Sequence, residues 1–161
     1  MGFGNIDSAI MFIGEAPGKN EAEQRRPFVG RGGKLLNETL SEHGMQREDF
    51  YVSNIVKVRP PNNRDPKPEE IAAHVPYLQR EIDIIQPRLV VTLGRFAMNF
   101  FLPDAKISDV HGKVQETQWH GRRITVLPVY HPAAALRSRK MKAAFSADLA
   151  QIPQVLPVHN E

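Results

Sequence analysis

Four short apolar runs limit what this chain can fold into: Ala9–Gly14 (AIMFIG), Tyr51–Val56 (YVSNIV), Leu89–Gly94 (LVVTLG) and Ile124–Val129 (ITVLPV). Each is rich in Ile, Val or Leu and each runs into a turn or loop signal. Their apolarity is continuous rather than alternating, which suits strands covered on both faces. Helical signals lie between them. Lys34–Glu42 follows a glycine turn and ends near Gly44. Pro68–Gln86 opens on Pro-Glu-Glu and stops at Pro87. Arg95–Phe101 follows the third run, and Ala133–Gln151 spaces Met141, Phe145 and Leu149 as a core stripe. Strand and helix in alternation predict an α/β fold, a parallel sheet with helices on both faces. The segment from Ile107 to Arg123 carries the pairs His111–Gly112 and His120–Gly121 and is expected to form a small hairpin before the fourth strand. Thr117, Gln118 and Trp119 fall in it as surface and packing.

This topology brings distant residues together. In open α/β sheets ligands bind beyond the carboxyl ends of the strands. Those ends are Glu15–Gly18, Asn54 with the loop to Asn63, Gly94, and His131–Pro132. Basic residues gather near the same loops: Arg25, Arg26, Arg31 and Lys34; Lys57, Arg59, Arg64 and Lys67; Arg137, Arg139, Lys140 and Lys142. Net charge is only +3, so it is this clustering that points to a polyanionic partner. With 161 residues the chain is expected to form one domain over residues 1–161. It has no cysteine, which excludes disulfides, thiolate nucleophiles and cysteine-held zinc or iron–sulfur groups. No histidine pair has HxxxH or HExxH spacing, so no bound metal is expected. No run approaches the roughly 18 apolar residues of a membrane span and no signal pattern opens the chain, so a cytoplasmic protein is expected. A monomer is expected as well.

The stretch Phe12–Leu36 (FIGEAPGKNEAEQRRPFVGRGGKLL) has the glycine content of a phosphate loop. Its GEAPGKN segment nevertheless has three residues between the glycines and Asn20 after Lys19, whereas a P-loop needs four and then Ser or Thr. Glu15 would also repel a phosphate there. A carboxylate immediately past a buried strand needs a partner or a role. Glu21 is equally a helix-start carboxylate, and Phe28 is either core or a rigid stacking surface fixed by Pro27 and Gly30. Asn54 offers the donor–acceptor pair that reads a base edge, or a turn cap. His131 stands where an imidazole either caps a helix or donates to an anion in the crevice.

Taken together, GEAPGKNE, PFVGRGGKLL, SNIVKVRPPNNRDP and HPAAALR resemble, in order and spacing, the motifs of family 4 of the uracil-DNA glycosylase superfamily: GEAPGxxE, PFVGxxGxLL, TNxVKCRPPxNRxP and HPAxLLR. The resemblance covers Ala9 to Leu149. It implies a three-layer α/β/α sandwich around a four-stranded parallel sheet, and a monofunctional hydrolase of base excision repair. Such an enzyme releases uracil from single- or double-stranded DNA and leaves an abasic site. It also implies roles. Glu15 would stabilise charge on the sugar or position water, with Asn63 a second asparagine near the site. Glu21 would lie near the uracil ring, Phe28 would stack on it, and Ala16 and Gly18 would line the substrate. Asn54 would read the uracil edge and His131 would steady the departing anion. Leu136 would fill the gap left in the duplex, and Arg59, Arg64 and Arg137 would contact DNA.

The chain also departs from that family, whose members hold a 4Fe–4S cluster on four cysteines. Val58 and His74 stand at two of those positions, and the segment bearing the first pair is expected to be absent, so a cluster-free variant is implied. Ala135 replaces a usual leucine. RPPNNRDPKPEE lacks the basic insert and histidine of the subgroup that traps itself covalently on the sugar. The alternative from another class is a catalytically weak uracil-DNA or single-stranded-DNA binding protein on the same fold.

Overall fold

The computed structural model describes residues 2–15, 30–56 and 67–156. Its strands are β1 (Phe3–Gly4), β2 (Ile10–Gly14), β3 (Tyr51–Asn54), β4 (Leu89–Leu93), β5 (Gln115–Trp119) and β6 (Arg122–Val129). Its helices are α1 (Arg31–Glu42), α2 (Pro68–Ile85), α3 (Arg95–Phe101), α4 (Ile107–Val110), α5 (Pro132–Ala135), α6 (Arg139–Leu149) and α7 (Ile152–Val155), with a 3₁₀ turn at Arg47–Asp49.

The strands form one sheet in the order β1-β3-β2-β4-β6-β5. The inner four, β3-β2-β4-β6, are parallel throughout, as the apolar runs predict. The outer two correct the four-stranded expectation, because β1 and β5 add antiparallel edges and make the sheet mixed. Neither edge carries the continuous apolarity that marks a strand buried on both faces. Phe3–Gly4 is exposed, and Gln115–Trp119 is polar at every position except Trp119, its only buried residue. The hairpin expected within Ile107–Arg123, ahead of the fourth apolar run, is instead made by β5 with that run itself, β6, and Ile107–Val110 is the short helix α4. His120 and Gly121 both take positive φ, 48° and 76°, in the two-residue turn that matches strand twist.

Alternate residues of each inner strand face opposite cores. Ile10 and Phe12 join Leu35, Leu36, Leu40, Phe145 and Leu149, so α1 and α6 cover one face. Met11 and Ile13 join Leu78, Ile82, Ala97 and Phe101, so α2 and α3 cover the other. This is the α/β/α layering. Phe12 stacks on Phe50 at 4.9 Å in the first core, and Trp119 packs on Phe100 and Phe101 at 5.5 and 5.4 Å, pinning the β5 edge. Among the described residues, no helix is long and apolar enough to cross a membrane.

The single helix expected over Ala133–Gln151 is broken into α5 and α6, and α6 ends at Leu149. Ser138 causes the break. Its backbone is extended, at φ −156° and ψ 160°, and its hydroxyl accepts from the Met141 N–H as the cap of α6. The Phe145–Leu149 part of the stripe is core, whereas Met141 is only half-buried.

The same helix carries a buried carboxylate. Asp148 Oδ2 lies 2.7 Å from His111 Nδ1, tying α6 to the segment before β5. Gly112 is required beside it, because it takes φ 75° and a Cβ there would run into Asp148 Oδ1. Burial pushes the Asp148 carboxyl above its ordinary value, with His111 pulling the other way. Folding thus favours the protonated acid. That contribution is full below the ordinary carboxylate range and lost as pH rises through the raised value. Asp148→Asn has no such proton to lose. Its melting temperature relative to wild type is expected to rise as pH climbs from the ordinary carboxylate range through the raised value; an offset that does not change with pH would count against this account.

Candidate active site

The four parallel strands all end on one edge, and backbone hydrogen bonds extend beyond the strands to lock the tips. Gly14 pairs with Asn54, Ile55 N–H donates to Gly14 O at 2.9 Å, and Val56 N–H donates to Glu15 O at 2.9 Å. On the other side, Leu93 pairs with Val129 and Gly94 N–H donates to Val129 O at 2.9 Å. The edge therefore reads Asn54, Glu15, Gly94, His131 across β3, β2, β4 and β6. Neighbouring strands lie about 4.8 Å apart, so Asn54 and His131 bracket a span of roughly 15 Å. Glycine is the residue at the tip of β4, between the carboxylate and the imidazole, so no side chain rises there.

Each side chain on this edge is set by local structure. Asn54 is the half-buried last residue of β3. That strand is braced from behind by Glu81 of α2, which accepts from the Tyr51 hydroxyl at 2.7 Å and from the Ser53 hydroxyl at 2.9 Å. Burial, and then the Glu81 carboxylate, push the Tyr51 phenol well above its ordinary value, so it stays a donor. Glu15 is half-buried at the bend after β2, where a carboxylate is held near, but not beneath, the surface.

His131 caps α5. Its Nδ1 accepts from the Ala133 N–H at 3.0 Å, with Pro132 in the first helical turn. An accepting Nδ1 carries no proton, so the neutral ring has its proton on Nε2 and presents a donor at the far edge. Two contacts steady the turn. A Cβ at Gly32 would sit 3.3 Å from Pro132 Cβ, so the start of α1 lies against it. The Tyr130 ring, one residue before His131, packs at 4.6 Å on His111.

Beyond α5 the chain turns outward. Leu136 is 43% exposed, and Arg137, Arg139 and Lys140 are exposed beside it. An apolar tip flanked by cations suits insertion into a base stack with phosphates on either side. Glu15, Asn54, His131, Leu136 and Arg137 are thus all placed on this edge or next to it. Ala16, Gly18, Glu21, Phe28, Arg59, Asn63 and Arg64 lie outside the described residues. The His111–Asp148 tie is missing from the sequence-based site. The repeated His-Gly pair was its only signal, and that signal reads as a turn.

Residues 1–152 match the family described as the Uracil DNA glycosylase superfamily. Among curated proteins, the type-4 uracil-DNA glycosylase of Archaeoglobus fulgidus is 43% identical over 159 residues, which is 96% of this chain and 80% of that protein. The type-4 uracil-DNA glycosylase of Saccharolobus solfataricus is 43% identical, over 96% of this chain and 74% of its own length. That of Thermotoga maritima is 47% identical, over 86% and 72%.

The capping bond makes its own prediction. His131→Ala removes the acceptor for Ala133 N–H and is expected to cost about 1 kcal/mol, or roughly 2–4 °C in melting temperature for a domain of this size. His131→Asn keeps a good cap and should melt close to wild type. Equal losses in both variants would remove the cap from the account.

Proposed function

The chain belongs to the uracil-DNA glycosylase superfamily and hydrolyses the N-glycosidic bond of deoxyuridine in DNA, and we propose that Glu15, Asn54 and His131 carry that reaction. The observation that supports these roles is their convergence, from three strands, on one edge of the parallel sheet.

A base must leave the stack before it reaches this edge, at a cost of a few kcal/mol that is smallest for a mispaired base. Phe28 offers the ring on which the extruded uracil stacks, returning about 1–3 kcal/mol. Leu136 fills the vacated gap, while Arg59, Arg64 and Arg137 hold phosphates without reading sequence. The Asn54 amide donates and accepts along the uracil edge, which cytosine presents with the opposite polarity. Ala16, Gly18 and Glu21 are assigned to uracil binding as well.

Cleavage breaks the bond between the sugar C1′ and uracil N1. Positive charge grows on the sugar, and the Glu15 carboxylate stabilises it. Negative charge grows on uracil, and the Nε2–H of His131 donates to it. Water, held by Glu15 and Asn63, adds its oxygen to C1′ and gives up a proton, and the products are free uracil and an abasic sugar. A neutral imidazole suits this step because its donor is oriented before the charge appears.

The residues present do not fit a 4Fe–4S cluster. The chain contains no cysteine, the His74 ring lies 6.1 Å from Tyr77, and Val58 is outside the described residues. No step above passes through such a group. The proposal is of a cluster-free, monomeric cytoplasmic enzyme, with residues 1–161 as one glycosylase domain.

The test is incubation with a uracil-containing oligonucleotide, then alkali. Strand breakage at the uracil position is expected, and His131→Ala should slow it on the order of a hundredfold or more. Binding without breakage would favour a uracil-DNA binding protein, and a wild-type rate for His131→Ala would remove its role. The purified protein should be colourless and iron-free, and stoichiometric iron and sulfide after anaerobic reconstitution would overturn the cluster-free assignment.

A further inference from the structure

We propose that Gly94 is a positioning residue for the His131 imidazole, an inference that rests on the role assigned to His131 above. Gly94 ends β4 and caps α3, whose Met98 N–H donates to Gly94 O at 3.1 Å. Its φ of 91° and ψ of 171° account for a glycine at this turn. They do not account for what lies against it. A Cβ at Gly94 would sit 3.1 Å from His131 Cβ, 3.6 Å from Cδ2 and 3.7 Å from Cγ. The imidazole therefore lies along the bare face of this glycine.

Two of its contacts orient the ring. On one side Ala133 N–H holds Nδ1 at 3.0 Å. On the other, the Cδ2 edge, bonded to Nε2, is seated on Gly94. The seat does not drift, because Gly94 N–H is bonded to Val129 O at 2.9 Å, two residues before His131. A methyl group at position 94 would move the ring by a few tenths of an ångström or turn it about its side-chain bonds. Either movement re-aims the Nε2–H, and hydrogen-bond catalysis is sensitive to displacements of that size.

The experiment is a double-mutant cycle on a uracil-containing oligonucleotide with wild type, Gly94→Ala, His131→Ala and the double variant, folding being checked by thermal melts. Gly94→Ala is expected to lower kcat by about 10- to 100-fold while KM changes by less than about threefold, because DNA is held by other residues. In the His131→Ala background the same substitution should cost almost nothing further, since there is no imidazole left to misplace. A merely structural glycine would give an additive loss, and additivity or an unchanged kcat overturns the proposal. A wild-type rate for His131→Ala would instead show that the role of His131 is wrong. If Gly94→Ala does not fold, Gly32→Val decides, pressing on Pro132, the residue after His131, at a helical position without positive φ. It should show the same kcat loss, dependent on His131, and an additive or absent effect overturns the positioning role.

Discussion

Backbone hydrogen bonding that continues past the ends of the strands is the constraint on which the rest depends. A parallel ladder alone aligns strand ends only to within a residue or two. Here Val56 N–H reaches Glu15 O and Gly94 N–H reaches Val129 O, so the first residues of the loops are in register too. Glu15 and His131 are 116 positions apart by number, yet each is fixed by a main-chain bond within two residues of it. Side chains placed this way inherit the rigidity of the sheet, which a site built from free loops lacks.

That rigidity requires both faces of the sheet to be dry. Phe12, Ile13, Val90, Val91 and Leu127 are all fully buried, and they divide between the two cores. Polar groups enter this interior only with partners or close to its rim. The Ser53 hydroxyl donates a hydrogen bond to Glu81, and Asp148 meets His111. Thr92 is the exception among these, since its hydroxyl is fully buried with no hydrogen-bond partner. It sits one step inside the end of β4, where it costs stability without an evident return. A chain without cysteine has no disulfide to stiffen its outer elements, so apolar packing and these few polar ties hold α2 and α6 to the sheet.

What could be read from the sequence follows from how strongly burial marks it. The four inner strands are legible because a strand covered on both faces must be apolar at every position. The edge strands are not, because β1 is two exposed residues and β5 shares its face with solvent. The break at Ser138 was hidden by a stripe that continued across it, and a local capping bond overrode the helical period. Glu15, Asn54 and His131 stand out because polar residues at the tips of buried strands are expensive unless used. The contact of Gly94 with His131 has no such mark. It joins residues from two non-consecutive strands, and a glycine that ends a strand and caps a helix already has a sufficient local explanation. The pairing of His111 with Asp148 was invisible for a similar reason, each partner reading plausibly as something else.

His131 shows that a structural and a chemical explanation need not compete. As a helix cap it is an unusual choice, since Ser, Asn or Asp would hold the Ala133 N–H as well or better. What those residues lack is a second polar atom on the far side of a rigid ring. By giving Nδ1 to the backbone, the cap fixes the tautomer and leaves Nε2–H as a donor aimed away from the helix. The bond that stabilises the turn is therefore the one that prepares the donor. This is why substitution by Asn separates the two functions cleanly: it preserves the fold-holding acceptor and deletes the ring donor that the proposed reaction uses.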